Sequence, residues 1–418
     1  MASKHALAEP RLWLPVEPRP GRLTHRTPIR APGLHSACEL AEKPPKLRRM
    51  RFPFIRGRVT KQAHVGLPEG TVEEEFGRNG FFGNTTHFYR TAPPVNWSRI
   101  EGKLRPHAYD FSKLQARSED YVANRQFLLE NDDVRLGFVR LSKPMPYLYR
   151  DADADEVIFV HEGRGQLQTD FGPFTYEPGD YLVVPRGTAH RFVPSEPSAF
   201  LIIVAFSEVG FPDRGMLGEH AQFDPAIIKV PSPEEPMPFA AGANGEWELV
   251  IDRLGELTRV YYPHNPLNVV GWKGTLAPMQ INVRDIRPVV SDRYHLPPSV
   301  HTTFVFRNAV ICSFLPRPLE NGDPTAVKVP FYHSNIDFDE VLFYHDGEFF
   351  SRKGIGPGMV TFHPQGIHHG PQPGAVERTK DVLATKEVAV MLDTKRPLRA
   401  TAAAGTVENP DYWKSWQG

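Results

Sequence analysis

The stretch EVLFYHDG (residues 340–347), followed by PGMVTFHPQGIHH (357–369), has a second copy in the chain: EVIFVHEG (156–163), followed by PGDYLVVPRGTAH (178–190). In both copies five residues separate a glycine from a proline, one separates that proline from a second glycine, and two separate that glycine from a histidine. The series are Gly179, Pro185, Gly187, His190 and Gly358, Pro364, Gly366, His369. The spacing from glutamate to histidine differs between copies only by a loop. A repeat this long fixes the architecture before any single residue is interpreted.

Alternation along EVLFY sends Glu340, Leu342 and Tyr344 to one face of a strand and Val341 and Phe343 to the other. Glu340 then points into an apolar barrel, where a carboxylate is costly unless it is paired or bound to a cation. The Pro-x-Gly turn returns His369 to the same mouth, and His333, in FYHSN (331–335), comes from the preceding strand. Two imidazoles and one carboxylate are the ligand set of a non-haem Fe(II) oxygenase with open coordination positions. The first copy keeps Glu156 and His190 but has Tyr149 where the second has His333. One imidazole and one carboxylate make a poor site for iron or zinc. The first barrel is therefore read as structural, with Glu156 and His190 hydrogen-bonded to each other.

Composition narrows the function class. Lys plus Arg and Asp plus Glu both number 49, so no global field draws in nucleic acid or an anionic membrane. The longest apolar runs, such as 200–206, fall far short of the ~20 residues of a membrane helix, and no signal-peptide pattern opens the chain. With only Cys38 and Cys312, a structural disulfide is not expected, and the reading is a soluble, cytoplasmic protein. Forty-two prolines and 33 glycines with little helical period favour a turn-rich, mainly β chain.

Residues 1–49 are dense in Pro and Arg without an apolar period and are expected to be a disordered N-terminal extension. Residues 50–255 hold the structural barrel, 256–400 the metal-binding one, and 401–418 a C-terminal tail. Within 73–97, Asn79-Gly80 and Gly83-Asn84 read as tight turns between short strands. His87 and His107 stand alone there and read as ordinary structural histidines. The Pro-rich run 223–247 and the following ELVIDRLGELTRVYY (248–262) read as linker and subunit contact, with a strand or short helix.

The repeat resembles the two motifs of the cupin superfamily, which implies a bicupin of two double-sheet jelly rolls. From Asn265 the likeness sharpens. NPLNVVGWKGTLAPMQINVRD (265–285), SDRYHLPPS (291–299), FLPRP (314–318), FYHSN, FHPQGIHHGP (362–371), AVMLDTKRPL (389–398) and ENPDYWKSW (408–416) together resemble the homogentisate 1,2-dioxygenase family. The resemblance implies Fe(II) held by His333, Glu340 and His369, with His295 as general acid/base and with His363, His369 and the position of Phe349 contacting substrate. The family has five residues between the first ligand histidine and the glutamate. Here there are six, which sets Asp339 at the expected position and makes it the rival of Glu340, as His301 is of His295. Where the family carries a substrate-binding tyrosine, this chain has Phe349. The implied partners are O2 and a small hydroquinone-type aromatic, most simply homogentisate giving maleylacetoacetate in tyrosine and phenylalanine catabolism, in a homo-oligomeric trimer or hexamer. Gentisate or another substituted hydroquinone is the alternative substrate. A non-catalytic bicupin binding a small ligand is the alternative from another class.

Overall fold

Strands Asp155–Glu162 and Ser198–Ala205 are buried along almost their whole length, on both faces. A strand with no polar face belongs in the middle of a sheet covered on both sides, and this sheet is the centre of the molecule. In the computed structural model, which describes residues 54–114, 120–349 and 352–417, it has seven strands. Their order is Met279–Asn282, Asp180–Val184, Asp155–Glu162, Ser198–Ala205, Val134–Leu141, Gln126–Glu130 and Arg399–Ala400. The extension over 1–49 lies outside the described residues.

Pleating divides this sheet's side chains between two cores. Ile158, Val160, Leu182, Phe200 and Ile202 pack against Tyr149, Leu167, Phe174, Tyr176 and Phe192 of a six-stranded sheet, and this is the interior of the first barrel. The opposite face, with Val157, Phe159, Tyr181, Leu201 and Ile203, meets Phe304, Ile311, Val341, Phe343, Val360 and Leu392 of another six-stranded sheet. Phe159 and Phe343 are fully buried there with ring centroids 6.2 Å apart. Burial of each such ring contributes about 2–3 kcal/mol.

That second six-stranded sheet runs Thr302–Phe306, Ala309–Phe314, Val388–Thr394, Asp339–Asp346, Met359–His363, His107–Asp110. Its inner face carries Glu340, Leu342 and Tyr344, and a three-stranded sheet of Tyr332–Asn335, Val72–Gly77 and Thr85–Arg90 supplies the remaining strands of the second barrel. The protein is thus mainly β and bicupin in plan. The chain also crosses over. His107–Asp110 pairs with Met359–His363, and Met279–Asn282 pairs with Asp180–Val184. Asn79 and Gly80 both adopt positive φ in the turn between Val72–Gly77 and Thr85–Arg90. The segment 248–262 is neither free linker nor helix. Trp247–Arg253 and Glu256–Tyr262 form a hairpin on the first barrel, turning at Leu254 and Gly255, both at positive φ as a type I′ turn requires.

Two buried histidine arrangements hold the barrels. His161 and His345 occupy equivalent places in the two sequence repeats, and their Nδ1 atoms lie 2.9 Å apart across the inter-barrel contact. In the first barrel Glu156 and His190 do not bond to each other, since His190 Nε2 lies 3.7 Å from Glu156 Oε2 and neither atom has a hydrogen-bond partner. A buried arginine takes the cation's place instead. Arg125 donates to Glu156 Oε1 at 2.9 Å and to the Tyr149 hydroxyl at 2.9 Å, with its guanidinium 4.6 Å from the Tyr149 ring centroid.

Removing one partner of such a pair leaves an uncompensated buried charge. Arg125→Met is expected to lower the free energy of unfolding by about 3–5 kcal/mol. Arg125→Met combined with Glu156→Gln should recover most of that loss in urea titrations, and a single-variant loss below ~1 kcal/mol would contradict the pairing. Burial also pushes His161, His190 and His345 down to about 4 from 6.5. The unfolded chain therefore takes up protons near pH 6.5 that the folded chain refuses until about 4. Stability should fall as pH falls through that window, with a slope approaching ~4 kcal/mol per pH unit for three protons. Urea midpoints that stay constant between pH 7 and pH 5 would refute this.

Candidate active site

The strand Asp339–Asp346 places Glu340 on the inner face, and the hydrogen-bonded backbones of His333 and His369 face one another across a β-bridge. Their side chains converge. His333 Nε2 lies 3.5 Å and His369 Nε2 3.4 Å from Glu340 Oε2, and the two imidazole centroids are 4.1 Å apart. One potential ligand atom from each of these three buried residues lies within 4.8 Å of the others. His333 Nδ1 sits 3.2 Å from the Phe331 carbonyl, which places the proton on Nδ1 and leaves Nε2 bare towards Glu340. Among the described residues, neither nitrogen of His369, nor Nε2 of His333, has a hydrogen-bond partner. Bare nitrogens converging on a buried carboxylate suit a metal ion, which would relieve each of these atoms.

His363 pairs with Glu340 across the strands, and its Nδ1 stands 2.8 Å from Glu340 Oε1. It is fully buried and stacks on His369 at 5.2 Å, so it grips the carboxylate oxygen that faces away from the cluster. Burial pushes His363 down to about 3, and burial likewise lowers His369. Burial alone would raise the Glu340 carboxyl, but the imidazoles of His369, His333 and His363 hold it well below the usual carboxylate range.

Asp339 points elsewhere. Its oxygens accept the backbone N–H groups of Gln365 at 2.8 Å and Leu398 at 2.6 Å. His368 also leaves the cluster, pairing with Glu74 on the other face of the three-stranded sheet.

A cavity opens over His333 and Glu340. Phe314, Pro330, Phe331 and Leu342 give it an apolar wall, and both His295 and His301 reach it. The His295 ring lies 4.0 Å from that of Phe331, which lies 4.9 Å from that of His333. Among the described residues neither His295 nitrogen has a hydrogen-bond partner, Glu320 Oε1 lies 3.4 Å from its Nδ1, and burial pushes the imidazole down to about 4. Burial and the Arg317 charge push His301 well below its usual value. His363, His369 and Phe349, expected to contact substrate, are not among the lining residues. Phe349 stands behind Tyr344, with ring centroids 4.8 Å apart.

Sequence reading passed over Arg317, Arg352, Glu387 and Tyr344, which also line the cavity. The only sequence signal was available for Tyr344, which shares the alternation that turns Glu340 inward. Arg317 lies in FLPRP and Arg352 in no quoted motif, and in neither does spacing signal that the guanidinium reaches the cavity.

A family model described as Homogentisate 1,2-dioxygenase N-terminal matches residues 136–283. A protein of Saccharolobus solfataricus named as a dioxygenase is 33% identical over 390 residues, covering 88% of this chain and 99% of its own. Homogentisate 1,2-dioxygenase of Bradyrhizobium diazoefficiens is 26% identical over 65% of this chain, which spans 62% of that enzyme. Among solved structures, a cupin 2 conserved barrel domain protein from Leptotrichia buccalis aligns over 69% of the chain at 10% identity with a TM-score of 0.31, too loose a superposition to bear on the site. The near end-to-end relative and the family model over the first barrel together make the chain a member of the homogentisate 1,2-dioxygenase-like family.

Proposed function

We propose that the chain is an Fe(II)-dependent ring-cleaving dioxygenase of a hydroquinone-type aromatic, with homogentisate giving maleylacetoacetate as the first candidate reaction. The observation that carries this reading is the His333, Glu340 and His369 cluster at the floor of a half-apolar cavity. Those three residues would hold the metal, and two imidazoles with one carboxylate leave positions for substrate and O2. When bound, Fe(II) supplies the one-electron exchange with O2 that closed-shell side chains lack.

The remaining work belongs to the chain's own residues. His363 holds Glu340 by the oxygen turned away from the cluster, so the carboxylate keeps one orientation. The Phe331 carbonyl fixes the tautomer of His333. Phe314, Phe331 and Leu342 exclude water and take the aromatic ring by its faces. His295, neutral at physiological pH because burial holds it near 4, accepts the phenolic proton, with Glu320 beside Nδ1 to stabilise the imidazolium. Arg317, 7% exposed, with its guanidinium donating to the Leu315 carbonyl at 3.4 Å and lying 3.9 Å from Glu387, attracts an anionic ring substituent. This places acidic hydroquinones such as homogentisate and gentisate ahead of neutral ones.

Anaerobic reconstitution with Fe(II), followed by O2 uptake with homogentisate, gentisate and methylhydroquinone in parallel, tests the reading. Uptake is expected with a carboxylated hydroquinone, and His369→Ala should retain far less iron than the wild type. No uptake with any of the three, or full iron content in that variant, would overturn it. His295→Gln is expected to lower kcat/KM by about 10²–10⁴-fold with unchanged iron content. A comparable fall in iron content would instead make His295 a structural support of the site.

A further inference from the structure

The inner face of the three-stranded sheet holds a second cluster. In the strand Val72–Gly77, Glu73 and Glu75 fall on one face by alternation, and Glu75 is directly opposite His87 on one side and beside His333 on the other. His87, Glu75 and His333 therefore form one rung across three strands. His64 arrives from the loop before this sheet and meets the His87 ring edge-on at 4.9 Å.

We propose that His64, Glu75 and His87, with Glu73 beside them, form a second divalent-cation site at the rim of the cavity, separate from the His333, Glu340 and His369 cluster. One potential ligand atom from each of the first three lies within 4.8 Å of the others. Glu75 Oε2 is 3.7 Å from His64 Nε2, while Glu73 lies 3.0 Å from His64 Nδ1 and 3.3 Å from His87 Nδ1. Glu73 is committed partly to the backbone N–H of His64 at 2.9 Å. Among the described residues, Nδ1 of both histidines and Oε2 of Glu75 nonetheless have no hydrogen-bond partner of acceptable geometry. His64 and Glu75 are only 6% and 4% exposed, so these are buried polar atoms of the kind that carries a desolvation cost unless something satisfies them.

An imidazole ligates a metal only in its neutral form, and with both rings in that form the two carboxylates bring two negative charges that a divalent cation cancels. Mixed nitrogen and oxygen donors suit a borderline first-row ion such as Zn2+ more than Mg2+ or Ca2+. His87, with its side chain 22% exposed, gives the ion a way in.

His64 also has φ of 65°, a backbone conformation that non-glycine residues adopt at a cost and that surrounding structure must hold in place. Its ring contacts those of His295 at 5.5 Å and Phe331 at 5.8 Å. A cation here pins the loop bearing His64 to the barrel and so fixes the wall against which His295 rests.

Full-length apoprotein equilibrated with Zn2+ alone and counted by plasma mass spectrometry tests this. Two equivalents per chain are expected in the wild type and one each in His87→Ala and His369→Ala, with circular dichroism confirming that the variants fold. One equivalent that survives in His87→Ala and vanishes in His369→Ala overturns the proposal, as do two equivalents in both wild type and His87→Ala. One equivalent lost in His87→Ala but kept in His369→Ala supports the second site while sinking the first. Should His87→Ala fail to fold, anomalous scattering at the zinc edge from wild-type crystals decides, with a peak between His64, Glu75 and His87 expected and its absence fatal.

Discussion

A carboxylate inside an apolar barrel has to have a positive or hydrogen-bonding partner, and this constraint shapes both halves of the molecule. The repeat sets Glu156 and Glu340 at the same place in two barrels of the same plan. In the first the partner is Arg125, whose guanidinium fills the site and is bracketed by Tyr149. In the second three imidazoles surround the glutamate and the space above it stays open as the cavity. One buried charge therefore has two solutions, a closed organic cation and an open nitrogen-lined pocket. In the first the arginine itself takes the carboxylate, whereas in the second the glutamate lines the cavity.

The fold and the second-barrel cluster were largely legible because they rest on local signals. Glycines and prolines at fixed spacing mark the turns, and alternation says which residues of EVLFYHDG turn inward. The same alternation separates Glu340 from Asp339, which the structure gives to backbone N–H groups at a corner of the barrel. What stayed hidden depends on segments that meet only in three dimensions. Arg125 reaches Glu156 from the junction between the helical turn Tyr121–Asn124 and the strand Gln126–Glu130, with no pattern joining the two. His87 looked isolated because its partners, Glu73 and Glu75 across the hairpin of Val72–Gly77 with Thr85–Arg90 and His64 from the loop before it, share no spacing motif with it.

The largest apolar core lies between the barrels. The central seven-stranded sheet has hydrophobic side chains on both faces, so it serves as the wall of one barrel and the foundation of the next. That arrangement lets the interior of the second barrel be polar. Stability comes from the back of the sheet carrying Val341, Phe343 and Val360, while Glu340, Tyr344 and His363 on the front are left to the site. Strands exchanged between the two stretches of sequence tie the arrangement together.

His161 and His345 add a point about symmetry. A residue that touches its own repeat counterpart lies on a two-fold axis, as in the isologous interface of a homodimer. The chain thus carries what would be a dimer contact inside a single polypeptide. A true homodimer must repeat every substitution on both sides of its axis, whereas a covalent pair can alter one half alone. That freedom allows one barrel to keep an arginine plug and the other a floor of imidazoles, while the shared contact at the axis stays symmetric.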